Sequence, residues 1–154
     1  MTQRDGEIRY LRLRADTLMG MFRNLQGPAR AQAFAALARS AAEHGGDSAR
    51  RYLESGGGDA TALLALVEKT AAELGWGVWR FAERDASHLA LDVADSPFAA
   101  GYGTADTEVC APITGMLQAV AGLTLGGICE AREVRCRARG AASCRFEAIT
   151  RSKP

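Results

Sequence analysis

Three cysteines in the C-terminal third of the chain have the spacing of a thiol-rich site. Cys136 and Cys144 lie eight residues apart and flank residues 139–142, a small Gly-containing segment typical of a tight turn between two strands. A turn near Gly140 would place the two cysteines opposite one another on an antiparallel hairpin, with Cβ atoms about 4.5–5.5 Å apart. Two thiols at that separation either form a disulfide or bind one soft metal ion.

Glu133 and Cys110 could complete this site. Glu133 precedes Cys136 by three residues, so strict alternation along a strand would put them on opposite faces. The site therefore requires a β-bulge or a strand end between them. Cys110 stands directly before Ala111-Pro112, a helix start whose amides and dipole favour a thiolate. Three thiolates and one carboxylate suit a structural zinc ion and leave no position for a catalytic water.

Other interpretations of the cysteines stay open on the sequence alone. Cysteine is often buried as a small apolar residue, and we assign the fourth one, Cys129, to the core on that basis. An iron–sulfur cluster is an alternative to zinc, although the closely spaced cysteine run that usually holds one is missing from the sequence.

Length and composition predict one compact domain over residues 1–154. Of these 154 residues 47% are hydrophobic and 24% charged, and the net charge of +1 gives no reason to expect nucleic acid or a membrane surface as a partner. The first residues lack an apolar signal core, and no run reaches transmembrane length. We therefore expect a cytoplasmic protein, in which metal binding or buried thiols are more common than disulfides.

The pattern of apolar residues and breaks predicts an α+β fold. Its antiparallel sheet would have about four or five strands, wrapped by N-terminal helices over about residues 15–74 and by one helix between two hairpins, with sheet and metal site over about residues 76–150. The predicted elements are a strand or helical lead-in at 7–14, helices at 18–22, 27–45, 47–53, 59–74 and 110–125, strands at 76–83, 88–93, 129–138 and 144–150, and a loop at 95–107. The helix that starts at residue 27 is expected to end or kink at Gly45-Gly46. Asp16 or Thr17 is expected to cap the helix at 18–22, and Asp59 the helix at 59–74.

The cysteine region resembles the 4-vinyl-reductase-type domain, which also forms the phenol- or xylene-sensing part of some transcription regulators. The pattern E-x-x-C-x-x-x-G-x-x-x-C-x-F runs without a gap from Glu133 to Phe146, after an upstream Cys110 and Gly115, and residues 95–99 resemble the segment before that cysteine. The resemblance implies a helix-wrapped antiparallel sheet that usually dimerises. It also implies a structural zinc on Cys110, Glu133, Cys136 and Cys144; Glu130 is the alternative carboxylate, at a spacing that matches the family pattern less well.

Aromatic residues near the predicted sheet are candidates for the wall of an apolar ligand pocket. The resemblance implies such a pocket, since in the phenol-sensing relatives a His and a Trp hold the ligand hydroxyl. An ordinary core role is equally consistent with the aromatic residues, and an exposed strand position with the histidine. The candidate ligand-binding residues are Trp79, Phe81, His88, Phe98, Tyr102 and Met116.

These observations favour a binding or sensing module for a small hydrophobic or aromatic molecule, with a structural zinc site, a homodimeric state and a separate effector protein. The sequence contains no nucleotide or flavin motif, so an enzymatic role is not expected. One alternative is an accessory or carrier protein in tetrapyrrole (bacteriochlorophyll) vinyl reduction. The other is a scaffolding dimer without a ligand.

Overall fold

A computed structural model of the chain describes residues 8–151. The predicted α+β class is confirmed, with one four-stranded antiparallel sheet. The helices are α1 (Ala15–Arg23), α2 (Gly27–Glu54), α3 (Ala60–Glu73), α4 (Pro97–Tyr102) and α5 (Ala111–Leu125). The strands are β1 (Val78–Arg84), β2 (His88–Ala94), β3 (Cys129–Arg135) and β4 (Cys144–Thr150), and a single 3₁₀ turn covers Arg137–Arg139.

The sheet joins two hairpins through their second strands. Its order is β1-β2-β4-β3, so the central strands β2 and β4 pair directly, with Leu91 opposite Phe146 and Val93 opposite Cys144. Alternate residues of these strands are fully buried on one face, where α5 covers them with Ile113 and Leu117. The central strands and α5 therefore form the part of the core from which the thiol-rich site is built.

The second helix does not end at Gly45-Gly46, so the prediction of two separate helices at 27–45 and 47–53 is wrong. Helix α2 continues through Gly45 and Gly46 without interruption, because these residues lie against α5. A Cβ atom at Gly45 would overlap the side chain of Met116, and one at Gly46 would lie 3.2 Å from the Cβ of Ala119. Each glycine costs about 1 kcal/mol of helix propensity. The close packing of α5 side chains on α2 at these two positions offsets this cost, and the sequence of α2 alone does not reveal it.

The segment predicted as a loop at residues 95–107 contains a short helix. Ser96 caps α4, since its side chain accepts a hydrogen bond from the amide of Ala99, and Pro97 occupies the first helical position. Asp59 caps α3 in the same way, as the sequence predicted, with a 2.9 Å bond from the amide of Ala62.

Smaller differences concern the ends of elements. Residues 8–14 are neither strand nor helix, and the remainder of that prediction, Glu7, lies outside the described residues. Helix α1 begins at Ala15, without the side-chain cap expected from Asp16 or Thr17; Asp16 pairs with Arg14 instead. Strand β3 ends at Arg135 rather than at residue 138, because the chain turns into the 3₁₀ segment.

Candidate metal centre

Four side chains converge at the junction of α5 with the β3–β4 hairpin. One ligand atom from each of Cys110, Glu133, Cys136 and Cys144 lies within 4.8 Å of all the others. The three cysteines are almost completely buried, and the glutamate is half-buried. The set is the one expected from the sequence, and all three thiols are free rather than joined in a disulfide.

A bulge at the end of β3 brings Glu133 and Cys136 together. The register shifts between the pair Glu133–Phe146 and the pair Arg135–Arg145, so one extra residue is inserted on β3. This is the irregularity that the three-residue spacing required. The chain then forms the 3₁₀ turn and reverses at Gly140, whose φ of 103° is in the left-handed region that favours glycine.

Backbone amides and a hydroxyl surround the ligand atoms. The amide of Cys110 donates to Oε1 of Glu133 at 3.0 Å, and the amide of Arg137 donates to Sγ of Cys144 at 3.3 Å. The hydroxyl of Ser96 lies 3.1 Å from Sγ of Cys110, which is itself 3.9 Å from Sγ of Cys144. These contacts fix the side chains before any ion binds.

The close approach of the ligand side chains shifts the pKa values of Cys110, Glu133 and Cys144 in different directions. Hydrogen bonds from Cys110 and Cys136 lower the pKa of the Cys144 thiol, and the amide of Arg137 lowers it further. The pKa of Cys110 is raised far above its ordinary value, because its hydrogen bonds with the other two thiols and its burial favour the protonated form. Burial, with a smaller contribution from Cys136, raises the pKa of Glu133 to about 8. Without metal, these shifts favour a thiolate at Cys144 and a bound proton at Cys110 and at Glu133.

The geometry fits a bound cation. Oε2 of Glu133 is buried and has no hydrogen-bond partner among the described residues. Such an atom costs about 1–3 kcal/mol unless a ligand satisfies it. Three sulfurs and one oxygen match the ligands of structural zinc, and an ion at their centre would supply the missing partner.

Glu130, the alternative carboxylate, and Cys129, which we assigned to the core, both lie outside the candidate metal centre. Glu130 is on the surface, where it pairs with Arg151 at 3.1 Å, so it does not take the place of Glu133. Cys129, at the start of β3, is buried as expected, and burial raises the pKa of its thiol.

The structure distributes the candidate ligand-binding residues over several places. Trp79 and Phe98 are buried beside Trp76, which contacts the ring of Phe98 edge-on at 5.0 Å. Tyr102 packs against Phe34 of α2. These aromatic residues fill space between elements and line neither of the two clefts described below.

Met116, His88 and Phe81 have different surroundings. Met116 packs on Gly45 in the α2–α5 contact. His88 lies 3.9 Å from Glu147 on the face of the sheet that points away from Leu89 and the core, so it is not brought together with Trp79 or Phe81. Phe81 is half-buried at the edge strand β1, and its amide donates to Oε2 of Glu68 at 3.0 Å.

Two clefts lie on the surface, and Phe81 lines one of them. One of about 340 Å³ lies between α3 and β1, with Leu64 and Phe81 as apolar walls and Thr61, Glu68 and Arg84 as polar groups. The other, of about 310 Å³, lies between α2, α5 and the start of β3. The α3 residues of the first cleft were not singled out in the sequence, because a helix face that lines a cleft has the same pattern as one that fills a core.

Ser96 is the other residue that sequence reasoning missed. Its position before Pro97 is a helix-start signal that the sequence does contain. Its contact with Cys110 could not be read in the same way, since fourteen residues separate the two.

Comparison with known proteins confirms the resemblance seen in the sequence. Residues 89–150 match the family model described as the V4R domain. This range includes all four residues of the candidate metal centre. Comparison with curated proteins gave no significant match. Within residues 8–151, no helix combines the length and the apolar character needed to cross a membrane.

Three solved structures share the fold. The phenol-responsive sensory domain of the transcription activator PoxR, solved with phenol, superposes with a TM-score of 0.79 at 18% identity, over 94% of this chain and 78% of that one. A vinyl-4-reductase family protein from Methanocaldococcus jannaschii gives 0.57 at 13% identity, over 95% and 100%. Trafficking protein particle complex subunit 3 from Naegleria fowleri, covalently bound to palmitic acid, gives 0.57 at 9% identity, over 90% and 95%. At these identities the likeness establishes the fold.

Proposed function

We propose that this chain is a binding or sensing module for a small hydrophobic or aromatic molecule, built around a structural zinc site. The V4R match and the fold shared with the PoxR sensory domain support a ligand-sensing role. The single observation that carries the proposal is the cleft between α3 and β1, which Phe81 and Leu64 line together with a few polar groups. Its volume of about 340 Å³ is within the usual range of small-molecule sites.

The cleft has the chemistry that a small phenolic or similar molecule requires. Phe81 and Leu64 offer apolar and aromatic surface, against which a ligand ring can stack. Oε2 of Glu68 already accepts the amide of Phe81, and a carboxylate oxygen has a further lone pair for a ligand hydroxyl. Thr61 accepts a 3.3 Å bond from Arg84, which leaves its own hydroxyl hydrogen able to donate.

Cys110, Glu133, Cys136 and Cys144 would hold the zinc. When bound, the ion supplies a cross-link between the start of α5 and the β3–β4 turn, and four protein ligands leave it no site for an activated water. The pairing of β4 with β2, and of β2 with β1, connects the centre to the strand that carries Phe81.

Phenol binding to the full chain tests the proposal, with calorimetry as the measurement and zinc present. We expect Phe81→Ala to weaken phenol binding at least about tenfold, since a lost aromatic contact is worth about 1.5 kcal/mol or more. Val78→Ala is the matched control, because Val78 lies on the same strand but is 60% exposed. Equal affinity of the Phe81 variant and the wild type would remove the cleft from the proposal, and a wild type that binds no phenol would remove this ligand class.

Several finer predictions accompany this proposal. They are a cytoplasmic location, a homodimer and a separate effector protein that receives the signal. The two alternatives, a carrier in tetrapyrrole vinyl reduction and a scaffolding dimer, remain predictions of the sequence. A pigment that co-purifies with the protein would favour the carrier.

A further inference from the structure

Ser96 occupies a position between the candidate metal centre and a short helix that contributes no metal ligand. Ser96 is 1% exposed. The hydroxyl oxygen lies 3.1 Å from Sγ of Cys110 and 3.4 Å from the amide nitrogen of Ala99, in the first turn of α4. A hydroxyl has one hydrogen to donate and two lone pairs to accept with, so it can make both bonds at once.

The direction of the two bonds follows from the chemistry of the partners. The amide of Ala99 can only donate, so the oxygen of Ser96 accepts there. A metal-bound Cys110 is a thiolate with no hydrogen of its own, so the hydroxyl hydrogen of Ser96 must point at the sulfur. Metal binding therefore selects the one hydroxyl orientation that serves both partners. The same residue then fixes a ligand of the metal and the start of α4.

Further contacts hold the residue before Ser96 to the 3₁₀ turn and the end of α4 to α1. Asp95, which precedes Ser96, has a φ of 56° and pairs with Arg137 of the 3₁₀ turn at 3.2 Å. At the other end of α4, Gly101 lies directly on the backbone of Ala15 at the start of α1, where a Cβ would come within 2.6 Å. The carbonyl of Tyr102 accepts a 2.9 Å bond from Arg23, in the last turn of α1. Helix α4 is thus held by the metal centre at its start and by α1 along its length.

We infer that Ser96 is a positioning residue of the metal centre, whose hydroxyl orients the Cys110 thiolate and couples metal occupancy to the order of α4 and to its packing on α1. The inference rests on the proposed metal centre. It adds Ser96, which is not a metal ligand, to the residues that determine metal binding. It also states that metal binding affects the packing of α4 on α1.

Two variants of the full chain separate the bond to sulfur from the cap on α4. Ser96→Ala removes both bonds. Ser96→Gly removes the bond to Cys110, but glycine is nearly as good a helix cap as serine, so α4 keeps most of its capping free energy. Asp59→Ala is the matched control, because it removes the equivalent cap from α3, where no metal ligand is in contact.

The measurements are zinc affinity by chelator competition, the absorption spectrum of the cobalt(II) form, and hydrogen exchange of residues 97–102 with and without zinc. We expect both Ser96 variants to bind zinc about 10- to 100-fold more weakly than the wild type, the effect typical of a lost partner of a metal ligand. Their thiolate-to-cobalt band should move to longer wavelength, because a thiolate without a hydrogen-bond donor gives up electron density more readily. Zinc should slow exchange in α4 of the wild type and of Asp59→Ala, but much less in Ser96→Gly.

The outcomes distinguish this inference from the proposed function. A Ser96→Gly variant with wild-type zinc affinity and cobalt spectrum would overturn the inference, since the hydroxyl would then act only as a cap. Unchanged exchange in α4 on addition of zinc to the wild type would overturn the coupling. A wild type that binds neither zinc nor cobalt would instead contradict the metal centre itself.

Discussion

Replacing Glu133 with glutamine changes one atom of the candidate metal centre and little else. Oε1 of Glu133 accepts the amide of Cys110 at 3.0 Å, and the amide oxygen of glutamine can preserve that bond. Oε2 is the buried atom that has no hydrogen-bond partner within residues 8–151, and glutamine replaces it with an NH₂ group that cannot ligate a metal. The variant therefore removes the oxygen ligand while it keeps the fold of the β3 bulge.

The expected loss of zinc affinity follows from the number of ligands. Structural zinc in small peptide sites contributes about 10–16 kcal/mol, so one ligand of four accounts for roughly 3 kcal/mol. We expect Glu133→Gln to bind zinc about 100-fold more weakly. Chelator competition at constant pH measures this directly.

Proton linkage gives the same variant a second, opposite effect on the metal-free protein. The pKa of Glu133 is about 8 in the folded chain and about 4.5 when unfolded. Between these values the folded state holds a proton that the unfolded state has lost, so the stabilising contribution is complete below pH 4.5 and disappears as pH rises to 8. The full difference corresponds to at most roughly 5 kcal/mol. Metal-free Glu133→Gln should therefore match the wild type near pH 4.5 and exceed its stability above pH 8.

Zinc affinity of the wild type should also depend steeply on pH. Binding must displace protons from both Cys110 and Glu133, whose pKa values are raised. At least two displaced protons imply an affinity that rises at least about 100-fold per pH unit below pH 8. Glu133→Gln should lose about one proton from this dependence.

Glu130→Gln is the control, since Glu130 lies on the same strand but pairs with Arg151 at the surface. It should keep wild-type zinc affinity and wild-type pH dependence. Wild-type affinity in Glu133→Gln, or an equal loss in both variants, would refute the assignment of Glu133 as a ligand.

Two further predictions concern the other ligands and the helix contact. Cys136→Ser should release the metal and lower the free energy of unfolding by several kcal/mol, as elemental analysis and urea unfolding would show. Cys129→Ser is the control and should keep the metal. Retained metal in Cys136→Ser would remove Cys136 from the centre. Gly115→Ala should destabilise the fold by about 1–3 kcal/mol, because its Cβ would overlap the carbonyl of Ala38 on α2, whereas Gly20→Ala has free space and should be neutral or stabilising. Equal thermal unfolding of these two glycine variants would contradict the close α2–α5 contact.

The convergence of the metal centre could be predicted from the sequence because most of it is local. Cys136 and Cys144 are placed by one hairpin, and the spacing of Glu133 already required the bulge that the structure contains. The continuity of α2 could not be predicted in this way. Gly45 and Gly46 have the local signature of a helix break, and only the distant α5, with Met116 packed on Gly45 and Ala119 on Gly46, explains why the helix continues.

The ligand-binding residues show the same limit. Aromatic composition indicates that apolar surface is present but not which rings share a site, and that grouping depends on tertiary contacts such as Trp76 with Phe98. The position of His88 was open to prediction, because it alternates with the buried Leu89 and therefore faces away from the core. The cleft beside Phe81 depends on how α3 lies along an edge strand, which no local pattern specifies.

Native mass spectrometry with elemental analysis, on protein purified without added metal, tests the central claim most directly. We predict one zinc ion per chain, lost in Cys136→Ser and retained in Cys129→Ser. A small apolar molecule bound to the same species would support the sensing role and identify the ligand class. A metal-free wild-type chain with four reduced thiols would contradict the account, and Cys110, Cys136 and Cys144 would then be core residues.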